Sequence, residues 1–557
     1  MDDRARAVVR RFPKRTTPAS AMAFAATMTW LAACGHDSAA KTPPSPTQTK
    51  PATASATPSA TPNATASATS SATASLTPSA TASVTSSATP SATPSVTPSP
   101  TPATQPVAPL SGSGRWFIDA TGRVVMFHGV NMVEKQPPYY PEAFGFGDDD
   151  AAFLAAEGFN ALRLGVDFRG LMPTPGVVED AYIDHLAATV DALTRQQIFV
   201  LLDFHQDGFS PMFNGNGFPD WMAITDGLPN PPDAVFPLYY IQNPAMQRAF
   251  EHFWANSPGP NGIGLQDYFV QGVERVVARF ADNPLVLGTE LMNEPWPGAD
   301  WSPCALEASG CPDLEQQRLM PFYRKGTAAA RRLAPQQLVF LEPFVLFNFG
   351  MATTTLPGTD AGVALAVHSY AINLAGEEGV VVNAVAAAQR DQAPLLLTEF
   401  GATIDPVVVN RLTAEMDAGL VPWLFWHYGG EVIGDLSQPA GPDNLASREA
   451  FDALVRPYPV AITGTPTMIA FDPTTKVFDL AYDTVGPGDV RYASALVTVV
   501  SVPTRHYADG YTVTADGATV VSAPCAPRLL LRNQADSNTV SVHVAPAVGA
   551  CQPGTGG

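Results

Sequence analysis

Glu294 and Glu399 are the residues of this chain whose setting most clearly implies chemistry. The stretch Leu285 to Trp296, LVLGTELMNEPW, runs an apolar segment into an Asn293-Glu294-Pro295 tip. A carboxylate is thereby fixed at the open end of a buried strand, beside an amide that can hydrogen-bond a sugar hydroxyl. About a hundred residues later Leu395 to Gly401, LLLTEFG, delivers Glu399 from the end of another apolar run. Glycosidic-bond hydrolysis uses two such carboxyl groups, one as proton donor and one as nucleophile or base. It needs no cofactor and no metal, and the only histidine early in the pattern, His128, is followed by Gly129 rather than paired with a second histidine.

Something must hold those tips, and the chain around them alternates between buried-strand and helix patterns. Apolar runs at Val124–Asn131, Asn160–Val166, Ile198–His205, Leu285–Glu294, Leu338–Pro343, Ala364–Tyr370, Leu395–Gly401 and Pro422–Gly429 read as parallel strands. Between them Ile183, Leu186, Val190 and Leu193 recur at helical spacing, as do Phe269, Val273, Val276 and Phe280. Eight such units predict an α/β fold, a (β/α)8 TIM barrel, with its active site at the C-terminal ends of the strands. Glu294 and Glu399 then fall on the fourth and seventh strands.

Other strand ends carry further candidates. Asp203, His205 and Asp207 alternate along LLDFHQD and share one face, which puts His205 at the barrel mouth unless it is a satisfied interior histidine. His368 and Tyr370 share a face in AVHSY, and Tyr370 is placed to hydrogen-bond the nucleophile. Arg163 in NALRLGV can brace a carboxylate, and a guanidinium beside Glu399 would keep it ionised. Trp426 in LFWHYGG offers an apolar floor for a sugar ring. Glu290 lies deeper than Glu294 and reads as a structural barrel residue; Glu342, after the fifth strand, is ambiguous. The run Asp148-Asp149-Asp150 reads as a helix N-terminal cap, without calcium-loop spacing.

Composition marks the domains. Residues 1–34 have six basic residues in the first 18, then an apolar stretch, then Leu31-Ala32-Ala33-Cys34. This is an export signal, too short for a membrane span; its last four residues resemble a bacterial lipobox, which would make Cys34 a lipidated mature terminus. The alternative is a plain secretory signal with a chance cysteine. Residues 35–109 are almost wholly Ser, Thr, Ala and Pro and bury too little to fold, so they are expected to form a disordered tether. Residues 110–459 form the barrel. Residues 460–557 change to short alternating strands, expected to be a small β-sandwich without a catalytic pair. An oxidising compartment predicts disulfides, Cys304–Cys311 and Cys525–Cys551 by neighbourhood. A net charge of −20 excludes nucleic acid as a natural partner. An exported monomer at the cell surface, held to the membrane at Cys34, is expected.

The motifs together carry a family resemblance. The Asn-Glu-Pro tip with its later Glu-Phe-Gly, and the arginine, histidines, tyrosine and tryptophan at strand ends, resemble glycoside hydrolase family 5. HGVNMVEK, LLDFHQDGFSP, GNGFPDWM, LYYIQNPAMQRAFEHFW, LMNEPWPG and LEPFVLFNFG are similar to the endoglycoceramidases within it, over about residues 112–460. SVPTRHYADGYTV extends the likeness into the C-terminal module. The resemblance implies that Glu294 is the general acid/base and Glu399 the nucleophile of a retaining reaction. It implies that Asn293 binds the hydroxyl next to the reacting carbon, that His205, His368, Tyr370, Arg163 and Trp426 surround the sugar, and that Lys135 and Asp207 contact the glycan. The substrate it implies is a glycosphingolipid cleaved between glycan and ceramide.

The insertion between the third and fourth strands bears on that substrate. From Asp207 to about Gly264 it carries Phe209, Met212, Phe213, Phe218, Trp221, Met222, Phe236, Tyr239, Tyr240, Phe250, Phe253 and Trp254. Two readings stand open: an apolar wall for a lipid leaving group, or a satellite core beneath the loop. Rival functions are a family 5 hydrolase of soluble β-glucan, galactosylceramide or steryl glucoside, and, in another class, a non-catalytic glycolipid-binding surface protein. A glucan hydrolase predicts a cleft of stacking tryptophans, for which Trp296 and Trp301 are the candidates outside the insertion and the eighth-strand tip.

Overall fold

The computed structural model describes residues 103–306, 309–354, 362–370 and 376–547. Cys34, the tether up to residue 102 and Cys551 lie outside the described residues. Eight parallel strands close into a barrel: β1 His128–Met132, β2 Ala161–Asp167, β3 Phe199–His205, β4 Val286–Glu290, β5 Leu338–Leu341, β6 Val363–Ser369, β7 Leu395–Phe400 and β8 Trp423–Phe425. Every residue of these strands is buried, as continuous apolar runs walled by helices require. The helix Asp180–Arg195 turns Ile183, Leu186, Val190 and Leu193 inward, and Leu265–Phe280 does the same with Phe269, Val273, Val276 and Phe280.

Three strand boundaries differ from the sequence reading by more than two residues, and one of them is the eighth strand, which ends at Phe425 rather than Gly429. Val124 and Val125 belong not to the barrel but to a separate short strand that pairs antiparallel with Ala461 and Ile462; β1 begins only at His128. An apolar run can serve either sheet, and partner availability decided which. The fourth strand ends at Glu290, and Glu294 beyond it has φ +42°, a left-handed conformation outside any extended path.

Residues 111–125 close the bottom of the barrel and join the C-terminal module. Phe117 lies against Phe127 and Phe340, ring centroids 5.3 and 6.0 Å away. The module is a sandwich of a seven-stranded and a four-stranded sheet. Strand Thr539–Pro546 alternates exposed and buried residues, turning Val540, Val542 and Val544 into the shared core. Arg456 binds Asp417 at 2.6 Å and the Tyr458 hydroxyl donates to the Gly158 carbonyl at 2.9 Å, fastening the module to the barrel. His128 is stacked between Trp423 and Tyr458, at 4.1 and 3.8 Å, and is structural. Asp150 accepts the Gly147 amide at 2.8 Å and caps its helix. A Cys304–Cys311 disulfide forms with Cα atoms 4.7 Å apart. Cys525 is disulfide-bonded too, and its expected partner is the undescribed Cys551.

Candidate active site

Arg163 on β2 stands at the centre of the barrel mouth, fully buried. Its Nε donates to Glu290 at 2.7 Å, Nη1 to Glu399 Oε1 at 2.6 Å and to Asn131 at 3.1 Å, and Nη2 to Asn293 Oδ1 at 2.8 Å. Asp203 adds a third acidic partner at 3.0 Å. One guanidinium thus orders strands β2, β3, β4 and β7, with the planar fork that makes arginine suited to several carboxylates at once. The second oxygen of Glu399 accepts the Tyr370 hydroxyl at 3.1 Å. Burial pushes the Glu399 carboxyl above its ordinary value, while His368 and Arg163 pull it back. Desolvation is the larger influence, and the guanidinium expected to keep Glu399 ionised offsets it only in part.

Glu294 sits opposite. Its Oε1 accepts from Asn348 at 2.8 Å and lies 2.9 Å from His368 Nδ1. His368 Nδ1 is also 3.5 Å from Glu399 Oε2. An oxygen of Glu294, an oxygen of Glu399 and a nitrogen of His368 all lie within 4.8 Å of one another. A cation could bridge that triplet, or the one formed by Glu290, Glu342 and His368. Both are hydrogen-bonded assemblies in their own right, and Arg163 already supplies positive charge among them.

Farther out, Lys135 Nζ binds Asp207 at 2.6 Å and lies 4.6 Å over the Trp426 ring. His205 stacks on Trp426 with centroids 5.4 Å apart, its Nδ1 2.7 Å from Asp203 and its Nε2 3.3 Å from Asp207. Burial alone would discharge that imidazole, but Asp203 and Asp207 outweigh it and raise the pKa to about 9. Asp207 is buried too, yet Lys135 and His205 hold its carboxyl well below the usual range. All ten residues expected at the mouth, Lys135, Arg163, His205, Asp207, Asn293, Glu294, His368, Tyr370, Glu399 and Trp426, are therefore linked by contacts into one site.

The strands and the long insertions match a known pattern across most of the chain. The family model for cellulase, glycosyl hydrolase family 5, matches residues 118–431. The chain belongs to glycosyl hydrolase family 5. It is a glycosidase, and the glycoside hydrolase family 5 C-terminal domain matches residues 456–544. Endoglycoceramidase I of Rhodococcus hoagii is 34% identical over 75% of this chain and 85% of that protein. The endoglycoceramidase of Hydra vulgaris is 30% identical over 71% and 80%. The solved endo-glycoceramidase II of Rhodococcus sp., in a ganglioside GM3 complex, superposes with a TM-score of 0.62 at 25% identity, over 77% of this chain and 99% of that one.

Within this family 5 site, two residues escaped the sequence reading and a third was left ambiguous. Asn348 comes from a short 3-10 turn, Val345–Phe349, after β5; it lies within the LEPFVLFNFG segment, whose likeness did not single it out. Gln206 points away from its neighbours His205 and Asp207, and its Nε2 donates to the carbonyls of Asn293 and Glu294 at 2.8 and 3.0 Å; a glutamine of opposite parity within a polar strand end was the available signal. Glu342, left ambiguous, accepts the Glu294 amide at 3.2 Å.

The aromatic insertion resolves mostly as core. Phe209, Phe213, Phe218, Tyr239, Tyr240, Phe250, Phe253 and Trp254 are all buried, and Phe253 packs edge-on to Phe209, Phe269 and Phe322. What remains exposed is Met212 and Phe236, with Leu228 and Val235. Trp296 is fully buried beneath Tyr240 and Trp301, ring centroids 4.9 and 5.9 Å away, and is no platform for a glucan.

Proposed function

We propose that this glycosidase works with retention, Glu399 as nucleophile and Glu294 as acid/base, and releases the glycan of glycosphingolipids from ceramide. The approach of the two carboxyl oxygens to within 4.8 Å carries the reading. Retaining pairs stand roughly 5–5.5 Å apart, whereas inverting pairs need roughly 6.5–9.5 Å to admit water. Glu399 attacks the anomeric carbon as Glu294 gives its proton to the departing ceramide oxygen. Water, deprotonated by Glu294, then breaks the glycosyl–Glu399 ester. Arg163 and Tyr370 stabilise the carboxylate that this second step releases. Asn293 has one amide hydrogen on the Gln206 carbonyl, at 2.9 Å, and a second free for the neighbouring sugar hydroxyl. The half-exposed Trp426 ring provides the floor, and Lys135 and Asp207 meet hydroxyls farther along the glycan.

The ceramide half of the reading is supported by the relatives named above, and by the apolar residues that the insertion leaves exposed. Release of glycan from a ganglioside, from galactosylceramide and from a soluble β-glucan tests it. Turnover of the ganglioside is expected, and turnover of the glucan alone would reject it. We further propose that the protein is exported and anchored at Cys34, on the strength of the basic start and the Leu-Ala-Ala-Cys sequence. Cys34→Ser should move it from the membrane to the soluble fraction; unchanged fractionation would refute the anchor.

A further inference from the structure

One carboxyl group outside the reacting pair touches the acid/base in two ways. Glu342, just past β5 and 1% exposed, accepts the backbone N–H of Glu294 on Oε2 at 3.2 Å. Its other oxygen lies 3.3 Å from His368 Nε2, the far side of the ring whose Nδ1 sits 2.9 Å from the Glu294 carboxyl. That Nε2 is buried and has no well-aligned hydrogen bond, and Glu342 is the carboxyl group that faces it. Glu294 needs such support. Its φ of +42° is costly for a side chain with a Cβ, and such conformations persist only where surrounding groups overdetermine them. Gln206 grips the carbonyl of Glu294 and Glu342 grips its amide, so the residue is clamped at both ends.

We propose that Glu342 is a positioning residue of the acid/base step: it locks the backbone of Glu294 with one oxygen and, through His368 with the other, helps hold the proton that Glu294 delivers. The inference rests on the proposed assignment of Glu294 as acid/base. Around Glu342 stand Arg163 at 3.5 Å, Glu290, Glu294, His368 and Tyr323, whose hydroxyl donates to the Glu342 carbonyl at 2.7 Å. His368 also faces Glu399. Burial, with Glu290 beside it, lifts the Glu342 carboxyl well above its ordinary value against the pull of His368. Burial disfavours the imidazolium, yet Glu342 and Glu399 outweigh it and raise His368 well above an ordinary histidine. Glu290, also buried, is kept low by Arg163. Glu290 and Glu342 thus form a buried carboxyl pair behind the ring, Glu342 lifted by burial and by its neighbour and Glu290 held low by Arg163. Removing an acceptor from that side weakens the hold on the proton between His368 and Glu294.

The test uses the full chain with Glu342→Gln and Glu342→Leu, measured against two glycosides: one whose leaving group is an alcohol, as in a ceramide glycoside, and one with a dinitrophenyl leaving group that departs without protonation. We expect kcat on the alkyl glycoside to fall about 10- to 100-fold, as for loss of a hydrogen bond to a charged group. For the dinitrophenyl glycoside kcat/KM, which reports the first step alone, should change less than threefold, and the alkaline limb of kcat/KM for the alkyl glycoside should move down by about one pH unit. The isosteric Gln variant keeps the test open if Leu does not fold. Equal losses on both substrates, or an unmoved alkaline limb, would overturn the inference alone. If instead Glu294→Gln spared the alkyl glycoside, the acid/base assignment and this inference would fall together.

Discussion

The barrel mouth and the insertion after β3 are both buried, by opposite means. At the mouth Arg163, Asp203, Glu290, Glu342, His368 and Glu399 are ionisable groups at 5% exposure or less, held by charge and hydrogen bonds. In the insertion the buried side chains are rings held by edge and face contacts, such as Phe209 on Phe250 at 5.1 Å. Buried charge is weak evidence for stability, since apolar replacements often stabilise as well; buried rings carry the hydrophobic gain directly. The contrast assigns chemistry to the mouth and support to the insertion.

Breaking the mouth should therefore remove activity and spare the fold. Glu399→Gln is isosteric and is expected to lower kcat by about 10⁴-fold or more, with thermal unfolding shifted by only a few degrees. A variant that stays active would move the nucleophile elsewhere. Breaking the insertion should do the reverse: Phe253→Ala opens a cavity in the core and should cost about 3–5 kcal/mol in urea unfolding. A loss below 1 kcal/mol would mean the rings are not a core.

Proton linkage sets a limit to the same contrast, because His205 is a mouth residue that does carry stability. His205 is raised to about 9 by Asp203 and Asp207 despite its burial. A group whose folded pKa exceeds its unfolded one stabilises most below the unfolded value, roughly 6.5, and its contribution fades as pH rises through about 9. Unfolding free energy should thus fall between those pH values by up to about 3 kcal/mol, and His205→Gln should flatten that slope. The smallest effect is expected at the exposed rim of the insertion. Phe236→Ser should change stability by less than about 0.5 kcal/mol, while slowing turnover of a vesicle-borne glycolipid and leaving a soluble aryl glycoside untouched.

How legible all this was depended on what each residue's signal encodes. Strand tips were readable because an apolar run ending in Glu or His is a one-dimensional pattern, and Glu399, His205 and His368 lie where it put them. Val124 and Val125 were misassigned because β-branched runs state that a strand exists and not which sheet takes it. The aromatics of the insertion stated hydrophobicity and not direction, so a wall and a core looked alike until packing separated Phe236 from Phe253. Asn348 and Gln206 were invisible as partners of the Asn293-Glu294 tip, because their contacts join segments with no shared motif.

The central claim is that Glu399 forms a bond to the sugar while Glu294 moves the proton. The direct measurement is peptide mass mapping after incubation with a 2-deoxy-2-fluoro glycoside bearing an activated leaving group, which slows release of the covalent intermediate. One sugar per chain on the peptide containing Glu399 is the predicted result. A sugar on any other residue, or single-step turnover with inversion at the anomeric carbon, would contradict it.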